Sequence, residues 1–347
     1  MNAAEQLRTD ARRIRECAAR AERRSDANEE YARAQRLDDE ARMLEDAMND
    51  DAVEWDIPED IAPALEQIGT TDITIEQCLA AGASGVLIPN ETYHALDGIS
   101  GSNLALLAES NKHLDNKRLF NLGDSPALVF GSLFHTLVLE PHDAENRYVV
   151  MPNFETKAVT GISIAESTRN FYTENSGKII VTNDDMEKAK RMAINVRAIA
   201  GDIIDAGIKE RSLFVEIDGL ILKCRLDIDI EDEGDDYDLK SISLGMMKEF
   251  SNRTLEDHIK KLHYHWSAAF RNIIRRALGK PVRDSYLIFC NTGMGNMVRI
   301  IKIASEWVDL AEAEVSDMLE GRRFYLASNV DVPVIEITDR QIKYNEY

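Results

Sequence analysis

The chain lacks the features that mark a membrane or extracellular protein. No apolar run in its 347 residues approaches the ~20 that a membrane-spanning helix requires. Only four cysteines occur (Cys17, Cys78, Cys224 and Cys290), far apart and without a Cys-X-X-Cys pair. That argues against a disulfide framework and against zinc or iron–sulfur ligation, and it points to a reducing cytosol. The N-terminus, Met1-Asn2-Ala3-Ala4-Glu5, leads into a charged helical pattern rather than a signal peptide. No internal repeat or low-complexity tract is found.

Positive charge is also scarce. The net charge is −21, and between Arg42 and Lys112 there is no Lys or Arg against 14 Asp and Glu residues. A nucleic-acid protein must neutralise phosphates, so the sum alone speaks against one. The distribution does not. Met246 to Arg283 carries nine Lys and Arg against three acids, and a chain can be acidic outside and basic along one groove.

What is present is a soluble, globular composition, 44% hydrophobic and 30% charged, long enough for one large domain and an appendage. Residues 1–50 read as a charged helical arm, with Leu7, Ile14 and Ala21 and then Leu37 and Leu44 at heptad spacing. Residues 51–85, acidic and interrupted by Pro58 and Pro63, read as a linker or docking segment. A compact domain is expected over 86–330, followed by a C-terminal tail over 331–347. Within it the periodicity predicts a helix over 183–204, strands over 212–217, 220–229 and 237–241, and a helix over 255–278. A strand pair over 284–290 and 296–303 and a closing helix over 305–319 follow. Helix, three strands, helix, two strands, helix implies an α/β fold with a mixed sheet.

The stretch Asp227 to Lys240 is the most informative. Two strands flank an acidic turn at 231–236, expected to be solvated. Asp238 and Lys240, two apart, share one strand face, and the hairpin can bring Asp227 beside them. Two carboxylates and a lysine at one sheet edge suit a hard cation with a positive group beside it, as phosphodiester hydrolysis requires. Asp-X-Lys alone is a weak signal.

Further segments strengthen it. Asn90-Glu91-Thr92-Tyr93-His94 precedes Ile99-Ser100-Gly101-Ser102, and Phe130-Gly131-Ser132-Leu133-Phe134-His135-Thr136-Leu137-Val138-Leu139-Glu140-Pro141 forms an apolar helix around one histidine. Gly219 to Asp227 and Asp238-Leu239-Lys240-Ser241 follow in order. Together, over about residues 86–325, these segments resemble the nuclease domain of the RecE-type (exonuclease VIII) phage exonucleases of the PD-(D/E)XK superfamily. The resemblance implies a restriction-endonuclease-like core, a central mixed sheet flanked by helices, here with a helical N-terminal extension. It implies that His135, Asp227 and Asp238 ligate the metal, with the Leu239 carbonyl beside them, and that Lys240 is the catalytic lysine. Glu210, just before the first of the three strands, falls where relatives carry a Glu near the metal. One departure stands out: the family's Gln and Tyr, four apart on the helix after the lysine strand, are Ser267 and Arg271 here.

Arg271 is expected to contact phosphate, as are Lys223 and Arg225, which share a strand face with Asp227. Lys248, Arg253, Lys260, Lys261, Arg275, Arg276, Lys280 and Arg283 read as a phosphate-facing set rather than a solvated helix face. His258, His263 and His265 have few carboxylates around them and read as surface or DNA-side residues.

The activity implied is a Mg²⁺-dependent (Mn²⁺ substituting) 5′-to-3′ double-stranded DNA exonuclease. It would leave 3′ single strands for an annealing protein in recombination, as a ring-like homo-oligomer at DNA ends in the cytoplasm of a phage-bearing bacterial host. Two alternatives stay open: a nuclease-fold protein that binds DNA ends or a recombination partner with little cleavage, and a structure-specific endonuclease.

Overall fold

The computed structural model describes residues 73–119, 125–154, 163–244 and 249–329. The chain divides between Ala64 and Leu65, so every described residue belongs to the second unit. The charged arm at 1–50, the acidic segment as far as residue 72 and the tail at 331–347 lie outside the described residues.

In chain order the helices α1 (Ile75–Ala81), α2 (Asn90–Ala95), α3 (Leu104–Glu109), α4 (Asn111–Leu119), α5 (Pro126–Leu139) and α6 (Ala144–Arg147) come first. Strand β1 (Tyr148–Val150), helix α7 (Ile164–Glu174), strand β2 (Ile179–Val181) and the long helix α8 (Asn183–Ala206) follow. Then come β3 (Ile208–Ile217), β4 (Leu220–Ile230), β5 (Asp235–Ile242), α9 (Asn252–Lys261), α10 (Tyr264–Ala277), β6 (Ser285–Asn291), β7 (Val298–Lys302) and α11 (Ser305–Ser328).

Strands β3 to β7 form one mixed sheet in sequential order. All neighbours are antiparallel except β5 and β6, which run parallel and are joined through α9 and α10. The parallel step needs a crossover, and those helices provide it. Helices cover both faces. Leu287 and Phe289 of β6 pack with α9, α10 and α11, while Ile288 and Cys290 pack with α5 and α8. All four side chains are fully buried, so β6 reads as an unbroken apolar run instead of alternating.

Local chemistry sets the element ends. Ser125 caps α5 by accepting from the Leu128 N–H, and Pro126 opens the helix where a missing N–H costs nothing. Thr182 caps α8 in the same way, with Asp184 and Asp185 in the first turn against the helix dipole. The β3–β4 hairpin turns on Asp218 and Gly219, both at positive φ (50° and 78°), the conformation that matches strand twist in a two-residue turn.

The sheet opens beside Asp227. β4 and β5 pair only over Ile228–Ile230 against Asp235–Tyr237. Beyond that they part, and Ile99 takes the place of β5 beside β4, its N–H donating to the Ile221 carbonyl and its carbonyl accepting from Lys223 N–H, each 2.8 Å. The side-chain alternation of β4 inverts at the same place. Leu222, Cys224 and Leu226 belong to the cluster under α10, whereas Ile228 belongs to the cluster under α5 and α8. Asp227 sits at the inversion.

Several expectations are corrected. The helix expected over 255–278 is two, α9 and α10, broken at His263, which adopts a left-handed conformation (φ 54°). Histidine is among the residues that tolerate that region best, and no Gly or Pro flags the break. Asp235 and Asp236 are buried strand residues, not part of a solvated turn: Asp235 accepts from the Asp284 N–H, and Asp236 from Arg271 and Ser285. The acidic segment does not extend as a linker to 85. Ile73 and Cys78 pack with Val86, Ile88, Tyr93 and Phe214, and Gly85 (φ 66°) lies so close to β3 that a Cβ would sit 2.8 Å from the Ser212 carbonyl. The parallel pair β1–β2 and the helix α7 were not anticipated; three-residue strands carry too little periodicity to be read.

Candidate active site

An open cleft of about 810 Å³ lies where β4 and β5 part, floored by those strands and walled by α5, α10 and the Ser100–Ser102 segment. His135 of α5, Glu210 of β3, Arg225 and Asp227 of β4, and Asp238, Leu239 and Lys240 of β5 all line it. The structure thus brings together every residue expected at the metal site.

Ligand atoms of His135, Glu210 and Asp227 lie within 4.8 Å of one another. Asp227 is held by its Oδ2, which accepts from the Leu239 N–H at 2.7 Å, a bond that replaces the missing strand ladder. The His135 Nδ1 is 3.5 Å from the same oxygen. Glu210 lies within β3, not before it, with φ at 54°, a strained conformation for a non-glycine residue. Its carboxylate is gripped by the Arg225 guanidinium, which also donates to the Ile88 carbonyl at 3.0 Å. Asp238 stands at the edge of this group with both oxygens engaged, Oδ1 by Lys240 Nζ at 2.6 Å and Oδ2 by Arg271 Nη1 at 3.4 Å.

The electrostatics follow from burial and like charge. Burial, then the neighbouring Asp238 carboxylate, push the Asp227 carboxyl well above its ordinary value. Burial acts on Asp238 in the same sense, but Lys240 and Arg271 outweigh it and hold that carboxyl below its usual range. For Lys240, burial favours the neutral amine, yet Asp238 and Asp227 prevail and keep the ammonium protonated. Burial, with Lys240 adding to it, lowers the His135 imidazole, so it is neutral and offers a lone pair. A neutral imidazole and two or three carboxylates suit a divalent cation, and the thiol of Cys224, which borders the cleft, is pushed up to about 12 by burial and stays protonated.

The DNA-facing assignments fare differently. Lys223 is 4% exposed and its ammonium donates inward to the Tyr93 carbonyl at 2.7 Å and to that of Leu96. Arg275 is fully buried between Asp229 (2.9 Å) and Asp236 (3.5 Å), and Lys280 is buried against Glu231 (2.6 Å). Arg271 points inward to Asp236 and Asp238. Lys260 bonds Glu256 and lies over the Trp307 ring, and Arg276 grips Glu312 with two bonds on α11. Of this set Lys261 and Arg253 are exposed, Arg283 pairs with Asp235, and Lys248 lies outside the described residues. The cause is burial demand: the aspartates inside the sheet need cations, and the basic segment supplies them. His265 is likewise buried, not on the surface.

One wall residue, Glu140, carried no expected role. Glu140 pairs with Arg147 at 3.3 Å, and burial and then the nearby Glu210 raise its carboxyl. Tyr264 places its ring 5.3 Å from the Lys240 ammonium. The Leu139-Glu140-Pro141 run was the only signal for Glu140.

A mixed sheet covered on both faces, split beside Asp227 and carrying Asp-X-Lys on the next strand, defines a nuclease-type α/β domain. The chain belongs to the PDDEXK-like domain of unknown function family (DUF3799), whose profile matches residues 96–323, about two thirds of its length. Among solved structures it is similar to a candidate exonuclease from Eubacterium rectale, with 13% identity and a TM-score of 0.46 over 74% of this chain and 98% of that one. It is also similar to a phage-related exonuclease from Haemophilus somnus 129PT, with 12% identity and a TM-score of 0.32 over 67% and 97%. No curated protein matches.

Proposed function

We propose that this chain is a Mg²⁺-dependent exonuclease of the RecE type, digesting one strand of duplex DNA from its 5′ end. The observation that carries the reading is the convergence of His135, Glu210 and Asp227 within 4.8 Å, next to the Asp238–Lys240 pair, in one open cleft. Of the expected metal ligands, His135 and Asp227 form a compact set with Glu210, and Asp238 and the Leu239 carbonyl can complete it. A divalent cation there would supply Lewis-acid stabilisation of charge gathering on the phosphate.

The chain's own groups do the rest. Neutral His135 offers its lone pair without a proton to lose. The Leu239 N–H holds Asp227 in place, and Arg225 holds Glu210 against its strained backbone. Lys240 stays protonated, so it acts as a hydrogen-bond donor to the phosphate or to the attacking water, not as a base. Asp238 fixes the direction of that ammonium. Strand polarity, release of 3′ single strands to an annealing protein, a ring-like homo-oligomer and a phage-bearing bacterial host belong to the same reading and rest on the motif resemblance.

The test is a digest of end-labelled linear duplex and of circular duplex with Mg²⁺ or Mn²⁺. Linear DNA should shorten from its 5′ ends and circular DNA should survive. Nicking or linearisation of circles would make the protein an endonuclease, and binding of ends without cleavage would make it an end-binding protein.

A further inference from the structure

Seven charged side chains form one alternating ladder beneath the cleft. Arg211 of β3 bonds Asp229 of β4 at 3.0 Å, and Arg275 joins Asp229 (2.9 Å) to Asp236 of β5 (3.5 Å). Arg271 then joins Asp236 (2.7 Å) to Asp238 (3.4 Å), and Asp238 ends on Lys240 at 2.6 Å. Arg271 and Arg275 are four apart on α10, which puts both guanidinium groups on the face packed against the sheet. The first six members are all buried. A buried ladder of this kind adds little net stability, because desolvation offsets most of the attraction. It does fix geometry, since moving one member would strand its neighbours unpaired.

We infer that Arg271 is a positioning residue for hydrolysis: anchored by Asp236, it pins one oxygen of Asp238 so that the other stays on Lys240 at the edge of the His135–Glu210–Asp227 group. Three observations carry this. Arg271 is 6% exposed although it borders the cleft, and its free nitrogen, Nη2, is sealed from solvent without a partner, so the guanidinium is not offered to a phosphate. Its stronger bond runs to Asp236, which lies outside the cleft lining, and that carboxylate is itself held by the Ser285 hydroxyl at 2.8 Å. The planar guanidinium reaches two carboxylates from one rigid group, which an ammonium cannot match. The inference deepens the metal-dependent reading of the cleft and rests on it.

The decisive protein is the full chain carrying Asp236→Asn and Arg271→Met together. Net charge is unchanged, the anchor of Asp238 is lost, and Arg275, which also gives up its contact with Asp236, keeps its bond to Asp229. Mn²⁺ affinity, read by calorimetry and by the metal-induced rise in Tm, should weaken about 10–100-fold, the usual effect of losing a group that orients a ligand. The kcat on linear duplex should fall by a similar factor, with KM and the salt dependence of DNA binding unchanged. Arg271→Lys, which keeps the charge and is the milder change if the double variant does not fold, should show the same losses at smaller size. Wild-type Mn²⁺ affinity and kcat in both variants would overturn the inference. A raised KM with a shallower salt slope would overturn it in favour of a DNA contact. If the wild-type protein proves inert on DNA, the nuclease reading fails, while the Mn²⁺ measurements still decide what Arg271 does.

Discussion

Asp227 concentrates the chemistry at the scale of single residues. In the metal-free protein its carboxyl titrates above its ordinary 3.8, because of burial and then the Asp238 charge. The folded state therefore keeps a proton that the unfolded chain has already released. The stability tied to that proton is present at acid pH and is lost as pH rises through the raised value. Asp227→Asn cannot ionise and escapes the loss. At pH 7 it should raise the metal-free Tm by roughly 2–4 °C, the size expected for ~1 kcal/mol in a domain this large, and the further rise given by Mn²⁺ should vanish. A metal-free Tm below wild type, with the Mn²⁺ response intact, would remove Asp227 from the site. Lys240→Ala should behave in the opposite way. Cleavage should fall roughly 10²–10³-fold, as when a preorganised donor is lost, while Mn²⁺ affinity holds. Loss of both together would mark Lys240 as structural.

At the scale of elements, α10 shows how a correct placement can carry a wrong role. The periodicity placed Arg271, Arg275 and Arg276 on one helix, and α10 contains all three. Which of them face inward depends on Asp229, Asp236 and Glu312, which lie on β4, β5 and α11, far away in sequence. Arg275→Met should accordingly destabilise the fold by roughly 3–5 kcal/mol, since it leaves buried Asp229 and Asp236 short of a partner, as measured by denaturant unfolding. Arg276→Met, on an exposed pair, should change stability by less than about 1 kcal/mol. A duplex-binding salt slope that flattens in Arg276→Met with no loss of stability would restore its DNA-facing role. The break at His263 was hidden for a similar reason. Its left-handed turn lies between α9 and α10, with the ring stacked 3.8 Å from Trp266, and no local spacing records it.

At the scale of the whole molecule, buried packing reaches upstream of Val86. Ile73 and Cys78 are buried with Phe214 of β3, and burying an apolar side chain contributes roughly 1.5–3 kcal/mol. A truncated chain starting at Val86 strips both and uncovers Phe214. It should lose several degrees of Tm relative to one starting at Ile73, with the difference read by thermal unfolding of the two. Equal Tm values would return residues 73–85 to the linker. The charge of −21 also takes on a different meaning at this scale. Much of the basic segment neutralises aspartates inside the fold, so it does not form a ready surface for phosphates.

By itself the sequence determined the α/β class and most of the element order from α8 onward, and it singled out His135, Asp227, Asp238 and Lys240, which the fold gathers in one cleft. Helical and strand periodicities are local, and the segments around those residues form contiguous motifs. Only the tertiary structure decided that Glu210 lies inside β3 and comes within 4.8 Å of His135 and Asp227, that β4 and β5 part beside Asp227, and that Lys223, Arg271 and Arg275 turn inward. Each of those outcomes depends on which distant carboxylate or carbonyl a buried charge must meet, and a one-dimensional spacing holds no record of that pairing.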